Sequence, residues 1–537
     1  MKSDRNRASR RTSFLGLVAL GAILAAPAQG QIFIRTIDGT WNNLFHPSWG
    51  SAGIDLVRLA PSDYGDGIQT PAGANRPSAR AISNALCAQA ASILNAAPVT
   101  DYLWQWGQFI DHDLDLTGSA SPPEPFPIPV PLGDPFFDPL STGTQVIPLH
   151  RSLHTANATI FHPREQLNEI TAFLDASMVY GSDSARALAL RRLDGTGKLK
   201  TSPGDLLPFN TMGLPNAPDP NDPSFFVAGD VRSNEQVGLT AMHTLFVREH
   251  NTLCDALGML FPFFGEEIRY QFARALVGAE IQVITYKEFL PALLGPNALS
   301  PYTGYKFWMN PGVSNEFSTA AFRVGHTLLS PVLQRLAANG SSIPEGPLPL
   351  QGAFFNPSAI LNQGGIEPLL RGLAAQPPQE VDPKIVDDVR NFLFGPPGAG
   401  GFDLASLNLQ RGRDHGLPSY NGLRSQLGLS RAATFADISS DPAIQAALAA
   451  AYASPADVDA WVGGLAEDHV AGAVVGPLFF KVLKNQFERV RDGDRFWYKI
   501  YLFGPFKTFA EQQTLAKVIR RNTPIGNEIQ DDVFELP

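Results

Sequence analysis

Cysteine is nearly absent: Cys87 and Cys254 are the only two in 537 residues. They allow at most one disulfide, so the chain is no disulfide scaffold. The alternatives are that one pair or two buried apolar thiols, and the second is favoured. No Cys-x-x-Cys-His run occurs, which excludes c-type haem attachment, and no Cys/His spacing fits a zinc site. Positive charge is in the minority, with 41 Lys and Arg against 51 Asp and Glu and a net charge of −10. No Lys/Arg-rich run follows the N-terminus, so phosphate-backbone binding is excluded and no nucleic-acid partner is expected. The apolar stretch Phe14–Ala26 is thirteen residues, short for a membrane span, and no other candidate span exists. Clean alternating runs are few, so strands should be short and rare. No internal repeat of roughly 20–50 residues is visible.

What is present is globular: 44% of residues are hydrophobic and 17% charged. The length allows one large domain or up to about three or four. Gly and Pro number 48 and 45, which predicts many loops. At the N-terminus Lys2, Arg5, Arg7, Arg10 and Arg11 precede the apolar stretch, and Ala28-Gln29-Gly30 offers a small-x-small cleavage site before Gln31. Residues 1–30 read as an export signal, of the ordinary secretory or the twin-arginine kind, giving a secreted or periplasmic protein. Beyond it helical periodicity dominates, over Ala81–Ala96, Tyr102–Asp115, Leu239–Leu257, Glu266–Leu290, Ser318–Leu329, Asp382–Phe394 and Ala471–Arg491. Pro-rich segments at Ser119–Pro148, Pro203–Pro223 and Gly395–Gly401 read as loops wrapping one helical body. The expectation is a mainly α fold with a single catalytic domain over residues 31–537.

The most informative segment runs from Trp104 to Thr117, around Asp111-His112-Asp113. Phe109, Ile110, Leu114 and Leu116 make it apolar enough for a buried helix, and buried charges are costly unless paired or bound. Gln108 and His112, four apart, share one helix face. Asp113 is rotated about 100° from His112 and points elsewhere. One helix can therefore present a base to one cavity and a carboxylate to a second site, or form a hydrogen-bonded polar knot.

Four further clusters accompany it. In Thr171-Ala172-Phe173-Leu174-Asp175-Ala176-Ser177, oxygen side chains alternate and Phe173 falls between them with a backbone carbonyl. In an extended loop these oxygens turn to one side. Asp113 could complete a hard-cation set of six to eight oxygens; a turn with local hydrogen bonds is the other reading. The third run, Ala228–Gln236, contains Arg232 and Glu235 and leads into a long helix. The fourth, Phe322–Leu329, contains Arg323, Gly325 and His326, where the glycine permits close approach of a flat group. The fifth, Leu407–Pro418, contains Asn408 and Arg411 and reads locally as a solvated polar turn.

Together these runs resemble the animal-type haem peroxidases of the peroxidase–cyclooxygenase superfamily. The resemblance spans nearly the whole mature chain, from Asp38-Gly39-Thr40-Trp41-Asn42-Asn43-Leu44 through Arg80–Asn84, Pro163–Gln166 and Arg248–Asn251 to Arg491–Tyr498. It implies that His112 is the distal base, Arg232 the distal arginine and Gln108 the distal glutamine. His112 would move the peroxide proton from the near to the leaving oxygen, and Arg232 would stabilise the charge that develops. It implies His326 as the proximal ligand of the haem iron, Asn408 as acceptor of its other ring N–H, and Arg323 and Arg411 as partners of the haem propionates.

The resemblance also implies ester bonds from Asp111 and Glu235 to a haem b, and a calcium site from Asp113, Thr171, Phe173, Asp175 and Ser177. Where the chloride-oxidising relative has methionine after the glutamate, this chain has Gln236, so no sulfonium link is expected. The implied reaction is reduction of hydrogen peroxide and oxidation of bromide, iodide, thiocyanate or phenols through a ferryl intermediate. Arg323 replaces the tyrosine that the cyclooxygenase branch carries three residues before the proximal histidine, which disfavours a fatty-acid dioxygenase. A third reading is a haem-containing adhesion or matrix protein without turnover.

Overall fold

The computed structural model describes residues 34–156 and 158–537. The expected export signal over residues 1–30 lies outside the described residues. As the composition leads one to expect, helices form the body and strands are few. Ile54–Asp55 pairs antiparallel with Leu167–Asn168, Ile128–Pro129 with Val146–Ile147, and Val332–Leu333 with Leu348–Pro349. At the centre lies the helix Val237–Leu260, apolar on most sides and buried along most of its length. Tyr102–Leu114, Glu266–Ile284 and Leu515–Asn522 pack against it. Among the described residues no helix is long and apolar enough to cross a membrane.

The strongly periodic helices fall close to their expected bounds. Where the structure differs, local chemistry or a distant partner explains it. The helix expected over Ala81–Ala96 stops at Cys87, where Ala88 turns extended. Beyond it Ile93 and Asn95 donate their backbone N–H groups to the Gln379 side chain and the Pro378 carbonyl. The helix expected from Ala471 begins at Pro477, the first helical position, where a missing N–H costs nothing. Of Asp382–Phe394 only Asp387–Arg390 is helical.

Two departures shape the site. The helix expected over Ser318–Leu329 is split at Ala320 (φ −130°, ψ −70°) into Asn315–Thr319 and a 3₁₀ turn, Ala321–His326. In a 3₁₀ turn residues i and i+3 eclipse, which stacks Arg323 and His326 on one edge. Of Leu407–Pro418, which reads locally as a solvated turn, the part through Asp414 belongs to a largely buried helix, Leu404–Asp414. Asp403 caps it, accepting from the Ser406 N–H at 3.2 Å, and Arg413 pairs with Asp459 at 2.8 Å. Those partners stand far away in the chain and are invisible to a local reading. Cys87 and Cys254 are both free and buried, and burial pushes each thiol up to about 12.

Candidate active site

A cavity of about 560 Å³ opens between these elements, and side chains from separate stretches of sequence converge on it. Gln108, Asp111 and His112 reach it from the Tyr102–Leu114 helix, Arg232 and Glu235 from the loop before the central helix. Arg323, His326, Asn408 and Arg411 reach it from the 3₁₀ turn and from Leu404–Asp414. Asp113, next to His112, does not; it faces the Thr171–Ser177 loop, as the helical rotation requires.

His112 and Arg232 are tied together by Asp230. The Arg232 backbone N–H and Nε donate to Asp230 Oδ1 at 2.8 and 2.9 Å, and Nη2 donates to Oδ2 at 2.9 Å. His112 Nδ1 lies 3.5 Å from the same Oδ1, which leaves Nε2, 3.8 Å from Glu235 Oε2, toward the cavity. Burial first, and Arg232 second, hold the His112 imidazole well below its ordinary value, so it rests neutral and able to accept a proton. Arg232 is held above its ordinary value by Asp230 and Asp111, against its burial. Asp111 Oδ2 stands 3.7 Å from Arg232 Nη1, and burial and Asp115 raise its carboxyl. Burial likewise raises Glu235, which accepts from Gln108 Nε2 at 3.0 Å.

Gln236 holds the two helices together. Its Oε1 accepts from the Gly238 N–H at 2.6 Å and caps the central helix; its Nε2 donates to Gln105 at 2.6 Å and Gln108 at 3.2 Å. A Cβ on Gly238 would stand 2.4 Å from Gln105 Oε1 and 2.9 Å from Gln236 Oε1, so a side chain there would displace the two glutamine side chains.

Across the cavity Asn408 Nδ2 lies 2.7 Å from His326 Nδ1, while Asn408 Oδ1 accepts from Arg323 Nη1 at 2.8 Å. Asn408 is thus the expected partner of His326, but its acceptor oxygen is engaged by Arg323 and its amide nitrogen faces the ring. Burial and Arg323 bring His326 down to about 3, so the ring is neutral, the form in which imidazole binds a metal. Gly325 borders the cavity, and a Cβ built on it would meet nothing within 4 Å. Open space beside a neutral histidine, with Phe289 and Phe322 in the wall, suits a flat macrocycle held by iron–imidazole ligation. Arg411 borders the cavity but gives Nη1 to Ser152 Oγ at 2.7 Å and the His150 carbonyl at 2.9 Å.

The second site closes under the helix. Asp113 Oδ1 accepts from Ser177 Oγ at 2.7 Å, and Asp175 Oδ1 from Thr171 Oγ1 at 3.1 Å. Burial, then the Asp175 charge, pushes Asp113 up to about 8; burial also raises Asp175, whose Oδ2 is buried without a hydrogen bond. Two facing carboxylates, one with an orphan oxygen, and two hydroxyls form a hard donor set suited to a cation. Among the described residues no three His, Cys, Asp or Glu side chains gather to hold a metal, so neutral oxygens would have to complete it. Phe173, expected to contribute its carbonyl, is buried within this loop.

Local sequence reading passed over Asp230 and the tether at Gln236. The available signal was an acid two residues before Arg232, the spacing that lets a carboxylate fold back on a guanidinium. Gly229, beside it, packs so tightly that a Cβ would stand 2.3 Å from the Ser177 carbonyl, and the Asp230 N–H donates to the Met178 carbonyl at 3.1 Å. The Thr171–Ser177 loop with the turn that follows it and the Asp230–Arg232 clasp are therefore in direct contact.

Known proteins resemble this chain in sequence and in fold. Peroxinectin A of Dictyostelium discoideum is 40% identical, with 98% of this chain and 99% of that protein aligned. Peroxidasin of Drosophila melanogaster is 39% identical over 94% of this chain but 36% of its own length, and thyroid peroxidase of Sus scrofa 37% over 87% and 56%. Among solved structures, peroxidase A from Dictyostelium discoideum superposes with a TM-score of 0.87 at 38% identity, covering 94% of this chain and 99% of that one. A fatty-acid alpha-dioxygenase of Oryza sativa superposes at 0.80 with 21% identity, over 94% and 88%, and shares the fold alone. The family model described as animal haem peroxidase matches residues 34–534, and the chain belongs to that family of oxidoreductases.

Proposed function

We propose that the cavity is a peroxide-reducing haem site in which His112 and Arg232 act on the peroxide and His326 holds the iron. Haem, when bound, supplies the redox centre at which the peroxide bond is broken and from which donors are oxidised. The chain's part is proton handling and charge. His112 Nε2 accepts the proton of the incoming peroxide and returns it to the leaving oxygen. The neutral resting imidazole is what that first transfer requires. Arg232, immobilised by Asp230, presents its cation to the charge that develops at the leaving oxygen. The Arg232–Asp230–His112 geometry is the observation that carries this reading.

Asp111 and Glu235 are the positions for ester links to the macrocycle, supported by their raised carboxyls and their place at the cavity. The Asp113/Thr171–Ser177 loop is the calcium site, with the role of clamping the helix that carries His112. Gln236, engaged as a helix cap, leaves no thioether at its position. Bromide, iodide, thiocyanate and phenols are the donors we assign, and chloride is disfavoured. Residues 1–30 direct export, and residues 31–537 form the catalytic domain.

Rapid mixing with peroxide tests the assignment. His112→Ala should slow the first step by about 10²–10⁴-fold and Arg232→Ala by about 10²–10³-fold, both with haem retained. Wild-type rates in both variants would overturn it. After peroxide treatment acidified solvent should leave most of the haem on the protein, and Asp111→Val with Glu235→Val should release it.

A further inference from the structure

Peroxide chemistry in the cavity leaves one part of the molecule without a task. A small hydrophobic cluster, separate from the main core, is built on Trp497 and Tyr498, with Tyr286 and Tyr302 packed against it. The chain has only 11 Tyr and 7 Trp, so four oxidisable rings in one small cluster is a concentration. Tyr286 meets Trp497 edge-on at 4.8 Å between centroids, and Trp497 meets Tyr498 at 4.9 Å and Tyr302 at 5.9 Å. These are the spacings of packed aromatic pairs. Inward, Tyr286 meets Phe487 at 6.2 Å, and Phe487 meets Phe289 at 6.5 Å and Phe322 at 5.6 Å. Phe289 and Phe322 are cavity wall. Outward, Tyr302 is half-buried between the exposed residues Pro301 and Thr303. Ring contacts therefore run unbroken from the cavity wall to the surface.

The polar atoms decide where along this path a positive charge would rest. Trp497 Nε1 is buried with no hydrogen-bond partner. Indole N–H is a donor only, and with no acceptor beside it the ring keeps its proton when it loses an electron. Tyr286 donates to the Phe487 carbonyl at 2.5 Å, too weak a base to take a phenol proton. The Tyr302 hydroxyl is buried with no partner to take its proton. A phenol, whether of Tyr286, Tyr302 or Tyr498, loses an electron readily only when it can shed its proton, whereas an indole forms a cation with its N–H in place, so the charge rests on Trp497.

We propose that Trp497 is a second oxidation site, linked to the cavity through Tyr286 and the Phe289 wall and reached from outside across Tyr302, where donors too large for the cavity give up single electrons. The inference rests on the peroxidase reading. The peroxide-oxidised enzyme takes one electron from Trp497, and the indole becomes a cation with its N–H intact. The external donor then returns one electron to the indole. No bond is made or broken in the protein and no proton moves there. A net charge of −10 favours encounter with a basic protein donor.

Ferrocytochrome c, a basic one-electron donor too large to enter, is the probe, and iodide is the small donor beside it. With the haem-loaded enzyme, Trp497→Phe should slow ferrocytochrome c oxidation about tenfold or more while iodide oxidation stays at the wild-type rate. Tyr302→Leu, at the surface end, should act in the same direction, and it carries the test if Trp497→Phe is poorly folded. Electron paramagnetic resonance after peroxide without donor should show a tryptophan signal that changes on ring deuteration of tryptophan and is lost in Trp497→Phe. Unchanged ferrocytochrome c rates in both variants, or a tryptophan signal that survives Trp497→Phe, would overturn the proposal. Failure of the wild type to oxidise iodide would instead overturn the peroxidase reading of the cavity.

Discussion

Two of the buried carboxylate pairs in this molecule have surroundings that differ in one respect. Glu249 and Glu280 face each other under Arg521, whose Nη2 is 2.9 Å from each, and Asn522 adds a further N–H. Asp113 and Asp175 face two hydroxyls and the backbone N–H groups of Ala176 and Ser177, all uncharged, and Arg35 Nη1 stands 3.9 Å from Asp175 Oδ2 with its other nitrogen committed to Asp494 at 2.6 Å. The guanidinium supplies positive charge to the first pair. Burial raises the Glu280 carboxyl well above its ordinary value, and the facing Glu249 adds to it. Uncharged hydroxyl and N–H donors do not supply the positive charge the second pair lacks, which is why a cation is proposed for it. The same residue type, equally buried, is compensated within the chain in one place and not in the other, and the formal charge of its neighbours decides which.

The largest effect should come from breaking the self-sufficient pair. Arg521→Ala leaves two buried acids without their cation and should cost about 3–5 kcal/mol, read as a fall in denaturant midpoint that added calcium does not repair. A calcium-repairable loss would erase the distinction between the pairs. Next in size is chelation of the wild type. Binding at a hundred times the dissociation constant contributes about 2.7 kcal/mol, so the thermal midpoint should fall with a calcium chelator and return with calcium but not with magnesium, which resists such an irregular oxygen cage.

Asp113→Asn sharpens the contrast further. It removes the repulsion with Asp175, so the calcium-free protein should be no less stable than the calcium-free wild type, while the response to calcium disappears. Differential scanning calorimetry with and without calcium measures both. The smallest effect belongs to Glu288, a buried acid with neither an arginine nor an oxygen cage, whose Oε2 accepts from the Leu515 N–H at 2.9 Å. Burial pushes it up to about 8. Its folded value lies above its unfolded one, so the folded state holds the extra proton and stability declines as pH rises from about 4.5 to about 8. Glu288→Gln should flatten that decline, seen in urea midpoints across the window.

Much of the site was legible in the chain because it is written in short spacings. Gln108, Asp111 and His112 sit on one helix, and the 100° step that sends Asp113 elsewhere is a property of any helix. Arg323 and His326 were legible as residues but not as neighbours; their alignment needs the 3₁₀ turn created at Ala320, where periodicity promised a continuous helix. Asp230 and Gln236 act through side chains folded back on their own surroundings, which leaves no periodic trace. Leu404–Asp414 looked solvated because its charges are balanced by Asp459 and Arg151, remote in sequence. The same blindness hid the Trp497 cluster, whose rings come from three segments.

The bare backbone at Gly229 has a consequence for how damage would spread. Any side chain there would strike the Ser177–Tyr180 turn, and Asp230, the next residue, is held to that same turn through its N–H. One substitution at Gly229 would therefore loosen the Asp113–Ser177 loop and the Asp230–Arg232 clasp together, though it touches no side chain of either.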